Sequence, residues 1–143
     1  MSRFLVLVLG VLLTGCMQGH LAVHTDYLNR EHLASYHVDT PDPMLSYPMI
    51  GQRLLTQWSV PQAYLSYPDL HLEVTIRFGN RQEVRENIPV DRTSGITIYT
   101  LSDENYWEKE GIQTFKVELI GNGCVLETRK HQLWVDLINI GND

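Results

Sequence analysis

Three groups of side chains in this sequence are of types that carry chemistry. The first is Asp103, Glu104, Glu108 and Glu110 around Tyr106 and Trp107. Aromatic rings stack on sugar faces and carboxylates bond hydroxyls, so the stretch suits a cell-wall glycan or small ligand, with Tyr106 and Trp107 as the contact residues. Glycoside hydrolysis would need two carboxyls at a fixed separation across a cleft, which spacing within one charged loop does not establish. The competing reading is a solvated loop whose aromatics anchor it to a core. The second group is His20, His24, His32 and His37. Histidines four apart on a helix can share a metal, but only His20 and His24 have that spacing, and no zinc pattern with Cys or Glu accompanies them. They read as a polar segment that contains histidine, and no metal is expected. Ser, His and Asp are also all present, yet no nucleophile elbow, metal signature or phosphate-cradling glycine loop arranges them. No catalytic residue and no cofactor is expected, and a non-enzyme follows.

A thiol with a different fate lies near the N-terminus. Arg3 precedes Phe4 to Leu13, a stretch without charge, and polarity returns at Gln18 and His20. The length fits the apolar region of a secretory signal, about 7–15 residues, and falls short of the ~20 that cross a bilayer. A buried N-terminal strand or core helix is the alternative. Leu13-Thr14-Gly15-Cys16 closes the run and resembles a bacterial lipobox. The resemblance implies that a signal peptidase reads Leu13, Thr14 and Gly15 and removes residues 1–15. Cys16 would then become the first residue, with a diacylglycerol on its sulfur and palmitate-type chains in the membrane. One acyl chain binds a bilayer marginally, whereas two or more anchor stably. Met17 stands where Asp retains such proteins at the inner membrane in the best-known pathway, so the resemblance implies an outer-membrane lipoprotein.

Removing residues 1–15 of 143 leaves 128, the size of one domain. Arg3 is the only charge removed, so the formal charge of −6 becomes −7. Nucleic-acid contact needs clustered Lys and Arg. Only Arg129-Lys130-His131 is dense, so no nucleic acid is expected and that trio belongs on a solvated strand face. With Cys16 acylated, Cys124 has no intramolecular partner. It is either a thiol for an intermolecular bond or a buried small hydrophobe, and burial is the common state of free cysteine.

The elements that must position these groups follow from periodicity. Residues 16–51 show no regular period, and Asp39-Thr40-Pro41-Asp42-Pro43 breaks any element there. A weak helical turn fits Tyr27 to Ala34, and Met17 to about Ser35 reads as a tether that lifts the domain off the bilayer by up to about 3.3 Å per residue. From Gln52 the period becomes two: Leu54, Thr56, Trp58 and Val60 share a face until Pro61, and Leu70, Leu72, Val74, Ile76 and Phe78 share the next. Gly79-Asn80 turns the chain into Gln82 to Val90, a polar strand that Pro89 marks as an edge. Ile96 to Leu101 is a short strand. Ser102 to Gly111 is a charged corner from which Tyr106 or Trp107 must pack inward. Gly121-Asn122-Gly123 joins Ile112–Ile120 to Cys124–Ile138, with Phe115, Val117 and Leu119 on one arm and Leu133, Val135 and Leu137 on the other as the inward sets.

Six or seven short strands with regular turn signals and no convincing helix predict an all-β antiparallel sandwich over residues 52–143. Arg53-Leu54-Leu55-Thr56-Gln57-Trp58-Ser59-Val60-Pro61 resembles the second strand of a fibronectin type III domain, a core Trp followed shortly by Pro. Leu72 to Phe78, then Gly79-Asn80-Arg81 and the run to Ile88-Pro89-Val90, is similar to its third and fourth strands. Gly111-Ile112-Gln113-Thr114-Phe115-Lys116-Val117 is similar to the opening of the sixth strand of immunoglobulin-like sandwiches, with Phe115 where a tyrosine usually stands. The stretch from Asp39-Thr40-Pro41-Asp42-Pro43 to Trp58 also resembles short lipoproteins of Chlamydiae, a likeness that brings no activity. A lipid-anchored module that binds another envelope protein is the expectation, with Gln82 to Val90 and Gln52 to Val60 as candidate edges for strand addition. A glycan-binding module is the alternative, and an envelope hydrolase a distant third.

Overall fold

The alternating faces sort into two sheets. The computed structural model describes residues 19–137, so Leu13, Thr14, Gly15 and Cys16 lie outside the described residues. The strands are β1 (Leu21–Leu28), β2 (Gly51–Ser59), β3 (His71–Phe78), β4 (Glu83–Pro89), β5 (Ser94–Ser102), β6 (Ile112–Gly121) and β7 (Cys124–Lys130). One sheet has the order β1-β2-β5 and the other β4-β3-β6-β7, with every pairing antiparallel. The chain is an all-β sandwich of two antiparallel sheets, in which the fourth strand pairs with the third in the larger sheet. Two short helices, α1 (Ala34–Val38) and α2 (Asp103–Lys109), lie in the connections.

The core is the inward set that period two defines. Leu54, Thr56 and Trp58 of β2 face Leu72, Val74, Ile76 and Phe78 of β3 and Phe115, Val117 and Leu119 of β6, all buried. Within the large sheet Leu72 pairs with Leu119, Val74 with Val117 and Ile76 with Phe115, so each layer of the core is a cross-strand apolar pair. The Trp58 indole lies across Gly95 of β5, where an added Cβ would come 2.2 Å from the ring. Its Nε1–H donates to Arg92 O at 3.1 Å, which satisfies the one polar atom of the indole.

Gln52 ties the sheets together at one end. Its buried side-chain Oε1 accepts the N–H of Ile112, the first residue of β6, at 2.6 Å. A buried N–H left without a partner costs about 1–3 kcal/mol. Gln52→Leu is therefore expected to lower stability by about that amount in urea unfolding, and an unchanged midpoint would mean that water replaces the bond. At the opposite end Asn122 and Gly123 turn β6 into β7 with φ of 53° and 72°, the left-handed pair that a two-residue hairpin needs. Asp69 caps this turn by accepting from Asn122 N (2.8 Å) and Gly123 N (3.2 Å).

Five expectations need correction. The segment read as a tether contains β1, which pairs with β2 along its whole length, from Leu21 opposite Trp58 to Leu28 opposite Gly51. As an edge strand it buries only Leu21 fully, so its pairing rests mainly on backbone bonds. The same pairing makes β2 the centre of its sheet, so Gln52 to Val60 is not an edge; Gln82 to Val90 is one, as β4. The last strand ends at Lys130, and the phase beyond it is inverted: Leu133, Val135 and Leu137 are exposed and Trp134 is buried. Trp134 lies on the outer face of the large sheet with the Arg77 guanidinium 3.8 Å over its ring, a cation–π contact that β-strand alternation does not encode. Cys124 is exposed rather than buried, because it begins β7 beside the hairpin turn. The helical turn expected at Tyr27 to Ala34 forms later, as a 3-10 turn at Arg30–His32 and then α1.

Candidate functional site

The end of the sandwich where β1 and β5 finish and β2 and β6 begin gathers the residues singled out for binding. Ser102 to Gly111, expected as a charged corner, holds α2. Asp103 and Glu104 lie in its first turn and Lys109 in its last, the arrangement that the helix dipole favours. Glu110 and Gly111 then leave the helix with φ of 59° and 75°, returning the chain to β6. Tyr106 is half-buried and packs against the core. Trp107 is 66% exposed and meets the Tyr106 ring edge-on at 5.2 Å. One aromatic thus anchors the helix and the other is presented to solvent.

Asp103, Glu104, Glu108 and Glu110 are all exposed. Exposed carboxylates are not the pair across a cleft that glycoside hydrolysis uses. The chain segment that bonds to the start of α2 is apolar instead. Asp103 N donates to Ile50 O at 2.8 Å, which brings the end of the β1–β2 connection beside α2. Ile50, Met49 and Tyr47 are exposed there, Tyr47 by 86%, and Tyr27 at the end of β1 is exposed as well. Sequence reasoning missed this grouping, since Tyr47 and Trp107 are 60 residues apart in the chain.

The histidines hold structure. His32 Nε2 bonds Asp26 Oδ1 at 3.0 Å and its Nδ1 bonds Asn29 Oδ1 at 2.8 Å. Asp26 also accepts from Arg53 Nε (3.1 Å) and a terminal guanidinium nitrogen (2.7 Å). The Arg53 hydrogen bond, with His32 adding to it, holds the Asp26 carboxyl below its ordinary value of 3.8. His37 Nε2 bonds Glu31 O at 2.7 Å. His20 and His24 flank and occupy β1, where residues four apart are separated by about 13 Å, so helical metal spacing does not apply. His20 Nδ1 lies 3.0 Å from Ser59 O. Among the described residues no group of three or more His, Cys, Asp or Glu is gathered as for a metal ion.

The first described residues are gripped by β7. Glu127 accepts His20 N at 2.6 Å and Leu21 N at 3.3 Å, and Arg129 Nε donates to Leu21 O at 3.1 Å. The two side chains also pair with each other at 3.0 Å. They act as a surrogate strand, supplying to β1 the acceptor and donor that a neighbouring backbone would supply. Arg129, read as part of a solvated basic trio, therefore has a specific structural role. The alternation Leu21, Val23, Thr25, Tyr27 is the signal that could have found this strand.

Among the described residues these features define a seven-stranded antiparallel sandwich with exposed aromatic and aliphatic side chains at one end. No family model matches the chain, and no solved structure matches it. Part of it is similar to the exodeoxyribonuclease 7 large subunits of Clavibacter michiganensis subsp. michiganensis and Clavibacter sepedonicus, each 35% identical over 78 residues. The match takes in 51% of this chain, and the chain spans only 18% of the length of those curated relatives. Among the described residues no helix is long and apolar enough to cross a membrane.

Proposed function

We propose that this protein is a lipid-anchored bacterial envelope lipoprotein, at the outer membrane, acting as a non-enzymatic module that binds another envelope protein. The anchor reading rests on Leu13-Thr14-Gly15-Cys16 after the apolar run from Phe4. The observation that carries the binding reading is the exposure of Trp107 on α2 and of Tyr47, Met49 and Ile50 in the connection whose Ile50 O accepts from the first residue of that helix. Contiguous exposed apolar side chains mark interaction surfaces, and Trp and Tyr dominate binding energy where they do so. The grip of Glu127 and Arg129 on His20 and Leu21 adds a geometric element. Only three residues lie between Cys16 and His20, at most about 14 Å of chain from one to the other, so the acylated protein would keep its sandwich close to the bilayer.

Cross-linking in intact cells with the acylated protein, followed by mass spectrometry, tests this. One envelope protein is expected to be recovered through the end that carries α2, and Trp107→Ala is expected to reduce its recovery by at least tenfold, as for a hot-spot residue. Equal recovery from the variant would remove this surface from the proposal. The glycan reading is favoured by one observation, that Tyr106 props Trp107 with a ring free to stack. It requires the parent protein to sediment with isolated cell wall and the Trp107→Ala variant to remain in the supernatant.

A further inference from the structure

The sandwich has four sheet edges, and three of them are guarded. β1 carries Asp26 in its pair with Arg53, and its start is covered by Glu127 and Arg129. β4 carries Glu83, Arg85 and Glu86 and ends at Pro89. β7 carries Glu127, Arg129 and Lys130, and its register shifts between Leu119 and Ile120 of its partner. Charges, proline and irregular pairing are the devices that keep edge strands from recruiting another strand. β5 has none of them. Its sequence, Ser-Gly-Ile-Thr-Ile-Tyr-Thr-Leu-Ser, holds no charge and no proline, and it pairs with β2 over nine residues without a bulge.

The hydrogen-bonding groups on its open side can be assigned. Val60 N donates to Thr93 O at 2.7 Å at one end of the β2–β5 ladder, and Asp103 N to Ile50 O at 2.8 Å at the other. Bonded pairs recur at every second residue of an antiparallel ladder, so Gly95, Thr97, Tyr99 and Leu101 bond to β2. The N–H and C=O of Ile96, Ile98 and Thr100 therefore face outward from the edge. The side chains of these same three residues are exposed on the outer face of the sheet, Ile96 by 49% and Ile98 by 48%, and Leu55 of β2 lies next to Ile98.

We propose that β5 pairs antiparallel with β5 of a second copy of this chain, joining two three-stranded sheets into one of six strands. The edge is self-complementary about Ile98. A two-fold axis there sets Ile98 opposite Ile98 and Ile96 opposite Thr100, and these are the residues whose backbone groups are open. A charged residue at the axis would face itself, and the strand has none. The axis also carries Arg92 of one copy, whose ion pair is with its neighbour Asp91, toward Asp103 and Glu104 of the other, once at each end. Leu55 and Ile98 of the two copies form one continuous apolar row across the axis. Since the described residues of each copy offer a single unguarded edge, the pairing closes on itself as a dimer and does not propagate.

The pairing needs nothing from the proposed anchor, but it constrains it. The two-fold axis sends the two N-terminal ends in opposite directions along the sheet, so two Cys16 anchors would meet one bilayer with the sheet lying along the membrane. The test uses the full chain in a nonionic detergent and in native membranes. Sedimentation is expected to give two copies per particle, and Ile98→Lys, which sets two charges face to face at a solvent-exposed site, is expected to give one copy that stays folded, with an unfolding midpoint that no longer depends on protein concentration. In a Cys124→Ser background, Ile98→Cys is expected to form a disulfide dimer on oxidation. Bonded pairs across such an axis have Cα atoms about 5.5 Å apart, within the roughly 4.4–6.8 Å that a disulfide spans. Gln57→Cys, exposed on the central strand β2, is expected to form none. A single copy at every concentration, an Ile98→Lys variant that stays paired, or equal cross-linking from positions 98 and 57 would overturn the proposal. So would an Ile98→Cys cross-link to a different protein, which would give the edge to a foreign strand.

Discussion

Trp58→Ala is expected to cost about 3–5 kcal/mol, the range for truncating a buried Trp, and so to remove much of the stability of a domain whose total lies around 5–15 kcal/mol. Three features place this residue at the high end. The indole is buried, it lies against Gly95 with no room for another atom, and its Nε1–H holds Arg92 O in the connection between β4 and β5. Its backbone sits between Leu21 of β1 and Gly95 of β5, so the cavity would open where all three strands of the smaller sheet meet. Urea unfolding of the full chain measures the loss. The comparison is Trp107→Ala, which removes the same indole from an exposed site and is expected to stay within about 0.5 kcal/mol of the parent. A cost below about 1 kcal/mol for Trp58→Ala would show that the site collapses around the missing ring.

Cys16→Ala is expected to move the protein out of the membrane fraction, or to leave it as an uncleaved precursor that still carries residues 1–15. The size of the effect follows from acyl-chain energetics, about 0.8 kcal/mol per buried CH₂, with one chain marginal and two or more stable. Loss of the sulfur removes the diacylglycerol and with it nearly all of that energy. Fractionation of cells, with gel mobility to separate precursor from mature chain, reads both outcomes. Retention of a mature-sized variant in the membrane fraction would sink the anchor proposal and leave the binding proposal to stand on the exposed end alone.

Within the described chain, legibility in the sequence tracked burial. Leu54 to Val60, Leu70 to Phe78 and Phe115 to Leu119 were readable because each runs along a strand covered by the opposite sheet, where nearly every inward side chain is apolar. Asn122-Gly123 was readable because few residues accept left-handed backbone at both positions. β1 was obscured because an edge strand is held mainly through its backbone, and in its place a tether was expected. The phase of residues 131–137 was misjudged because Trp134 is buried by a guanidinium and a lysine stem rather than by the core. Tyr106 and Trp107 were identified as a pair, but their division into one anchor and one exposed ring depends on the helix that carries them. Gln52 carried no signal, since a glutamine that accepts one buried N–H looks in sequence like any surface glutamine.

Taken alone, the order of amino acids determined the two-layer β architecture, because alternating apolar side chains can be buried only between sheets and turn residues limit where strands reverse. The tertiary structure alone decided that β1 rather than β2 lies at an edge, which edge is left unguarded, and that the connection ending at Ile50 runs beside α2. Those outcomes depend on backbone hydrogen bonds between strands far apart in the chain, and outside proline every residue offers the same N–H and C=O, so the choice of partner strand leaves little mark in the sequence.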